Sequence, residues 1–137
     1  MKFLLDTNVI SQLTKDQPSD GVIRWILEQD EDDLFLSVAT LLEIRTGVEL
    51  KPRGKKRDEL EQWLVHSLPA RFGDRIVPVE MHTADLCGRI IARSQREGWR
   101  MESMDALIGA TAMVHDMTLA TMNRKHFERL GVELVEF

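Results

Sequence analysis

Cysteine is almost absent from this chain, which has one, Cys87, among 137 residues. A single thiol excludes a disulfide framework, and it argues against a metal site built from thiolates. The four histidines, His66, His82, His115 and His126, show no ligand spacing such as HExxH. No zinc site is therefore expected.

Long apolar runs are missing as well. Charged residues interrupt every hydrophobic stretch before it reaches the length of a membrane span, and the opening MKFLLDT becomes acidic too soon for a signal peptide. We therefore expect a cytoplasmic protein that makes no use of a membrane. The 137 residues, 43% of them hydrophobic, suit one core and a single domain over residues 1–137.

The net charge of −5 and the pI near 5.4 argue against binding nucleic acid through an overall positive field. Local basic sites remain open. The segment KPRGKKR, Lys51 to Arg57, has five basic residues in seven. Further arginines recur along one predicted helical face, at Arg89, Arg93, Arg96 and Arg100. A solvated surface is the ordinary interpretation of either group.

Short apolar segments alternate with helical patterns along the whole chain. Strands are predicted at residues 2–5, 34–38, 76–79, 117–121 and 132–135. Helices are predicted at 8–15, from a cap at 19 or 20 to the acidic cluster at 30–33, and at 39–50, 55–67, 81–97 and 103–115. Pro69 is expected to end the fourth helix, Gly98 the fifth, and Ser103 to cap the last.

This alternation predicts a three-layer α/β/α domain. Short strands separated by helices indicate a mostly parallel sheet with right-handed crossovers and helices on both faces. The helix 103–115 is apolar nearly all round, so it should lie buried against the sheet.

Four polar residues fall where a predicted strand ends or a helix begins: Asp6, Glu43, Asp105 and Asn123. Ligands of open parallel sheets bind at the carboxyl ends of the strands. Three carboxylates brought close together repel, and at neutral pH they must take up protons or share a cation. Oxygen ligands favour Mg²⁺ or Mn²⁺.

Each of these residues also has an ordinary structural explanation. Asp6 can cap the first helix, Glu43 can close a Thr40-x-x-Glu43 capping box, and Asp105 suits the first turn of its helix. Asn123 can hold a turn. A shared cation becomes the better explanation where Asp6 and Glu43 approach the core, because an unpaired buried carboxylate is costly.

The order and spacing of four segments are characteristic. The segments are FLLDTNVIS, LLEIRTGVEL followed by PRGKKR, MDALIGATAMVHDMTLATMN and GVELVEF. Together they span nearly the whole chain. They resemble the PIN-domain family, and within it the VapC-type toxins of bacterial type II toxin–antitoxin systems, most closely the FitB-like branch.

The resemblance implies a PIN-like fold and a metal-dependent endoribonuclease. Asp6, Glu43 and Asp105 would be the acidic triad that holds Mg²⁺ or Mn²⁺, with Asn123 as a fourth site residue. It also implies an RNA substrate, a homodimer, and a cognate antitoxin that covers the acidic pocket and brings promoter DNA to the complex. Thr7 and Asn8 would shape the first loop.

The chain departs from the family at two positions. Many relatives have an acid where Asn123 stands, and often another where His126 stands. Because asparagine brings no charge, one tightly held metal is expected, with a second conditional on substrate.

Arg45, the KPRGKKR segment and the predicted arginine face have expected roles as well. Arg45 is expected either to hold a phosphate or to pair with Glu43. The KPRGKKR segment and the arginine face are candidate contacts for single-stranded RNA.

Three alternatives remain. A haloacid-dehalogenase phosphatase needs a second aspartate two residues after the first, and this chain has Asn8 there. A receiver signalling domain needs adjacent acids after the first strand and an aspartate ending the third, where the chain has DTN and VPVE. The third is an inactive PIN-like protein that acts only by binding a partner, suggested by Asn123 and His126.

Overall fold

Four short parallel strands form the centre of the molecule in the computed structural model, which describes all 137 residues. They are β1 Phe3–Leu5, β2 Leu34–Ser37, β3 Ile76–Val77 and β4 Thr118–Ala120. Their order across the sheet is β3-β2-β1-β4, and every neighbouring pair is parallel. The predicted parallel sheet is confirmed.

Helices connect the strands, and most of them begin and end close to the predicted residues. Ser19 caps the second through its hydroxyl, and Gly98 ends the sixth in the left-handed conformation with φ of 75°. The seven helices are α1 Thr7–Ile10, α2 Asp20–Glu28, α3 Val38–Leu50, α4 Lys55–Gln62, α5 Leu68–Phe72, α6 Met81–Glu97 and α7 Ser103–Val114.

The core lies on both faces of the sheet. Alternate residues of β1 point to opposite faces, so Phe3 and Leu5 pack with apolar side chains of α2, α3 and α5. Leu4 faces the other way and packs with side chains of α6 and α7, among them Ile90 and Ile108. The three-layer α/β/α fold is confirmed, and α7 is buried against the sheet as expected.

One helix boundary was predicted wrongly. Pro69 does not end the helical run, which continues through a wide turn at residues 63–67 into α5. In that turn Leu68 N donates to Trp63 O, five residues back. Proline has no N–H, and its ring would collide with the carbonyl four residues earlier in a regular helix, so the wider turn lets the chain pass.

Two other local predictions were also wrong. Glu102, not Ser103, is the N-cap of α7, and no side-chain hydrogen bond caps that helix. The strand predicted at 132–135 is reduced to one bridge between Leu119 and Leu134. β4 is only three residues long, and Leu119 alone turns its backbone N–H and C=O to that edge, since Thr118 and Ala120 bond to the β1 side.

The order of the strands positions the site. β1 lies between β2 and β4, and the chain moves outward to β3 before returning to the other side of β1. The carboxyl ends of β1 and β4 therefore flank the point where the strand order reverses. Asp6 follows β1 directly, and its N–H donates to Ala120 O at 2.9 Å. No helix has the length and apolar character needed to cross a membrane.

Candidate active site

Asp6 is the most buried charged side chain of the molecule, with only 4% of its surface exposed. It does cap α1, since Oδ1 accepts from Thr7 N at 2.8 Å. Its other oxygen, Oδ2, accepts from Thr121 Oγ1 at 2.7 Å and from Asn8 Nδ2 at 3.3 Å. Hydrogen bonds from residues that follow β1 and β4 therefore fix the orientation of the Asp6 carboxylate.

Burial raises the pKa of Asp6 to about 6. The hydrogen bonds from Thr121 and Thr7 oppose that rise, while the negative charges of Asp105 and Glu43 add to it. Those two charges act on Asp6 because all three acids lie at the same end of the sheet. The pocket is electrostatically strained at neutral pH, and a bound cation would relieve the strain.

Glu43 does not form the capping box, because Ser37 is the residue that caps α3. Instead Glu43 Oε1 accepts a hydrogen bond from Thr7 Oγ1 at 2.6 Å. The Thr7 hydroxyl lies 3.1 Å from that of the fully buried Thr40. The first loop and α3 therefore hold Glu43 towards the pocket, which gives Thr7 a defined role.

Asp105 lies in the first turn of α7, where the helix dipole favours a negative charge. Its Oδ2 is 2.9 Å from His126 Nδ1, in the turn after β4. The Asp105 side chain is 18% exposed and that of His126 is 53% exposed. His126 is therefore in direct contact with Asp105, one of the three predicted site acids.

Asn123 contacts the other site residues through its backbone. Its exposed side chain makes no hydrogen bond, while its backbone N donates to Thr121 Oγ1 at 3.0 Å. Thr121 is the residue that sequence reasoning missed. Asn8, expected only to shape the first loop, links the two strand ends, since its Oδ1 accepts from Met122 N at 3.0 Å.

The expected ion pair between Arg45 and Glu43 is wrong. The Nη1 atom of Arg45 lies 2.6 Å from Glu61 Oε2, so Arg45 pairs with the following helix. A phosphate contact by Arg45 stays a prediction. No lysine or arginine forms an ion pair with Asp6, Glu43 or Asp105, and His126 is the only basic group in contact with any of them. The acidic charge is left without a fixed cationic partner.

The donor chemistry of these residues fits a hard divalent cation. Asp6, Glu43 and Asp105 offer carboxylate oxygens, the ligands that Mg²⁺ and Mn²⁺ prefer. No three of the Asp, Glu, His and Cys side chains lie close enough to ligate one ion directly. Water molecules would therefore complete the ligand shell, which is the usual arrangement for Mg²⁺.

A groove leads away from the acidic pocket, with a volume of about 440 Å³. Thr7 and Glu43 lie at one end, and the lysines Lys15, Lys51 and Lys56 line it further along. The predicted arginine face is different, because Arg89 and Arg93 form ion pairs with acids of α6 itself. Arg100 lies beyond the end of α6 and pairs with Glu102.

This combination of a parallel β3-β2-β1-β4 sheet and a three-acid pocket at its carboxyl ends defines a class of protein. The chain belongs to the PIN-domain family, whose model matches residues 3–133. The family resemblance is confirmed, against the phosphatase and receiver alternatives.

Within that family the chain is similar to particular toxins. It is 36% identical to toxin FitB of Neisseria gonorrhoeae over 90% of this chain and 89% of FitB. It is 31% identical to VapC ribonuclease Y4jK of Sinorhizobium fredii over 96% and 94% of the two chains.

Two solved structures agree with this placement. The crystal structure of FitAcB from N. gonorrhoeae matches with a TM-score of 0.89, 34% identity and coverage of 98% of this chain and 96% of that one. The structure of FitAB bound to an IR36 DNA fragment matches with a TM-score of 0.88, 34% identity and coverage of 97% and 93%.

Proposed function

We propose that this protein is a metal-dependent endoribonuclease and the toxin of a type II toxin–antitoxin module. The observation that best supports the proposal is the buried Asp6, which has no basic partner and whose pKa is raised in part by the negative charges of Asp105 and Glu43. The name of the relative Y4jK, a VapC ribonuclease, supports RNA as the substrate. The cytoplasm, which holds both RNA and newly made antitoxin, is the compartment that suits this activity.

Asp6 and Asp105 would hold Mg²⁺ or Mn²⁺ directly or through water, and Glu43 would complete the site. When bound, such a cation lowers the pKa of water and offsets charge on the phosphate oxygens. Glu43, aimed by Thr7, accepts the proton of the attacking water. The exposed Asn123 amide is free to orient that water. In-line attack forms a bond from the water oxygen to phosphorus and breaks the bond from phosphorus to the 3′ oxygen. The 3′ oxygen takes up a proton from solvent, which leaves a 5′-phosphate and a 3′-hydroxyl.

The groove of Lys15, Lys51 and Lys56 is the path we propose for the RNA backbone. Its lysines offer positive charge to phosphates beyond the scissile one. Lys56 Nζ donates to Thr14 O, so that lysine is held against the first loop. Of the basic residues in KPRGKKR, Lys51 and Lys56 line the groove. We therefore restrict the RNA contacts proposed for this segment to these two lysines.

Incubation of the purified protein with mixed RNA tests this function. We expect fragments with 5′-phosphate ends in Mg²⁺ or Mn²⁺ and none in chelator, read by gel electrophoresis and end-specific ligation. Intact RNA in both metals, or equal cleavage in chelator, would contradict the proposal. A protein that binds RNA but never cleaves it would support the inactive alternative.

Two partners belong to the same proposal: a second copy of the chain, and an antitoxin that covers the acidic pocket and links the complex to promoter DNA. The FitAB complex with DNA supports the second. For the first, Val38 and Leu42 lie one turn apart on α3 and are 36% and 54% exposed.

Leu42→Glu is expected to convert a dimer into a monomer, as measured by light scattering. Leu27→Glu is the control, since Leu27 is 78% exposed on the separate helix α2. A wild-type monomer, or a Leu42→Glu dimer, would exclude this interface.

A further inference from the structure

A second cavity opens beside the acidic pocket, with a volume of about 340 Å³. Asp105 and His126 form the wall it shares with the proposed active site. The other wall is the connection between α6 and α7, with Arg100, Met101 and Glu102. The proposed hydrolysis leaves these three connection residues without a role.

The cavity walls have the groups that recognise an unpaired base. Proteins bind single-stranded RNA by stacking bases on aromatic rings or guanidinium planes and by hydrogen bonding to base edges. The ring of His126 is held by its contact with Asp105, and the Arg100 side chain, which also lines the cavity, is 89% exposed. Met101 supplies a partly buried apolar surface.

Glu102 supplies hydrogen-bond acceptors at the same place. Arg100 contacts only Oε1 of Glu102, from Nε at 3.0 Å and from Nη2 at 2.9 Å. Oε2 accepts no hydrogen bond, so it is available to a ligand. The contact with Arg100 is solvent-exposed and therefore weak, and it leaves the carboxylate able to reorient.

We propose that this cavity receives one unstacked nucleobase adjacent to the scissile phosphate, and that Glu102 makes guanine the preferred base. The proposal rests on the ribonuclease function, since Asp105 in the cavity wall places the base within one nucleotide of the cut. Guanine has two neighbouring donors, N1–H and the N2 amino group, which match the two acceptors of a carboxylate. On the same Watson–Crick edge, adenine, cytosine and uracil each have a single donor group with an acceptor beside it.

Sequencing the 5′ ends of fragments from mixed RNA measures the preference. The wild-type protein is expected to enrich guanine at one position flanking the cut, and Glu102→Gln to lower that enrichment about 10-fold, in line with the value of a bidentate contact to a base. Met101→Trp, which fills the cavity, should remove the preference as well. Asp85→Asn is the control, because Asp85, like Glu102, pairs with an arginine, here Arg89, but lies outside the cavity.

A binding measurement separates this inference from the activity itself. In chelator, fluorescence anisotropy compares an RNA hexamer of central guanine with the same hexamer containing hypoxanthine, which lacks the N2 amino group. The guanine hexamer should bind about 10-fold more tightly to the wild type, with no difference in Glu102→Gln. Equal binding by the wild type overturns the guanine site whether or not RNA is cleaved. Absence of cleavage with the binding difference retained would refute only the proposed nuclease.

Discussion

Asp6→Asn is expected to abolish RNA cleavage, with a loss of at least about 100-fold, because even outer partners of metal ligands contribute 10- to 100-fold. The substitution removes the charge that would hold the cation while keeping the shape of the side chain. An asparagine oxygen still accepts from Thr7 N, and the Thr121 hydroxyl can rotate to accept rather than donate. Only the longer hydrogen bond from Asn8 Nδ2, at 3.3 Å, is lost. The fold should therefore survive, as checked by circular dichroism and thermal unfolding.

Asp116→Asn is the matched control for this variant. Asp116 is exposed after α7 and has a φ of 54°, a left-handed conformation that asparagine tolerates. Its activity should equal that of the parent protein. An Asp6→Asn protein that cleaves RNA at the parental rate would remove the basis for the proposed mechanism.

The stability of the protein is expected to fall as pH rises, because of the same residue. The pKa of Asp6 is about 6 in the folded protein, against 3.8 for an aspartate exposed to water, as in the unfolded chain. A folded-state pKa above the unfolded one means that the native protein binds the proton more tightly, so stability is lost between pH 3.8 and 6. A shift of about two units corresponds to about 3 kcal/mol in the free energy of unfolding.

Urea unfolding of the wild type and Asp6→Asn at pH 4 and pH 7 isolates this contribution. The other carboxylates are common to both proteins, so their titration cancels in the difference. We expect Asp6→Asn to gain about 2 kcal/mol relative to the wild type between the two pH values, because the unfolded aspartate is already partly ionised at pH 4. Mg²⁺ added at pH 7 should stabilise the wild type and leave the variant unchanged. Parallel pH profiles of the two proteins would show that Asp6 is not destabilised by burial.

The parts of the fold that local patterns specify could be predicted from the sequence. α6 begins and ends at the predicted residues, because its apolar spacing is regular and Gly98 provides a left-handed stop. The helical run through Pro69 could not be predicted in this way. Whether proline ends a helix or passes through a widened turn depends on the packing of Leu64 and Leu68 in the core, against residues that are distant in the sequence.

In the candidate site, too, local sequence patterns predict some features, and others depend on tertiary packing. Asp6 could be predicted because it directly follows an apolar strand, and the carboxyl ends of parallel strands are binding positions. Thr121 could not, since its bond to Asp6 depends on the register of β1 against β4, which pairs Leu5 with Ala120. Asn123 and Arg45 were assigned from the residue type, and the roles of their side chains depend on directions that only tertiary packing determines.

The bond between Thr121 and Asp6 also sets the moment at which the acidic pocket can exist. During synthesis the first aspartate leaves the ribosome long before its partner, 115 positions later. β1 is a central strand, and its neighbour β4 is made long after it. A nascent chain without β4 therefore lacks the strand that orients the carboxylate, and the proposed activity can begin only after β4 has been made. This delay between the synthesis of Asp6 and the formation of the pocket arises because β1, the first strand, lies in the middle of the sheet.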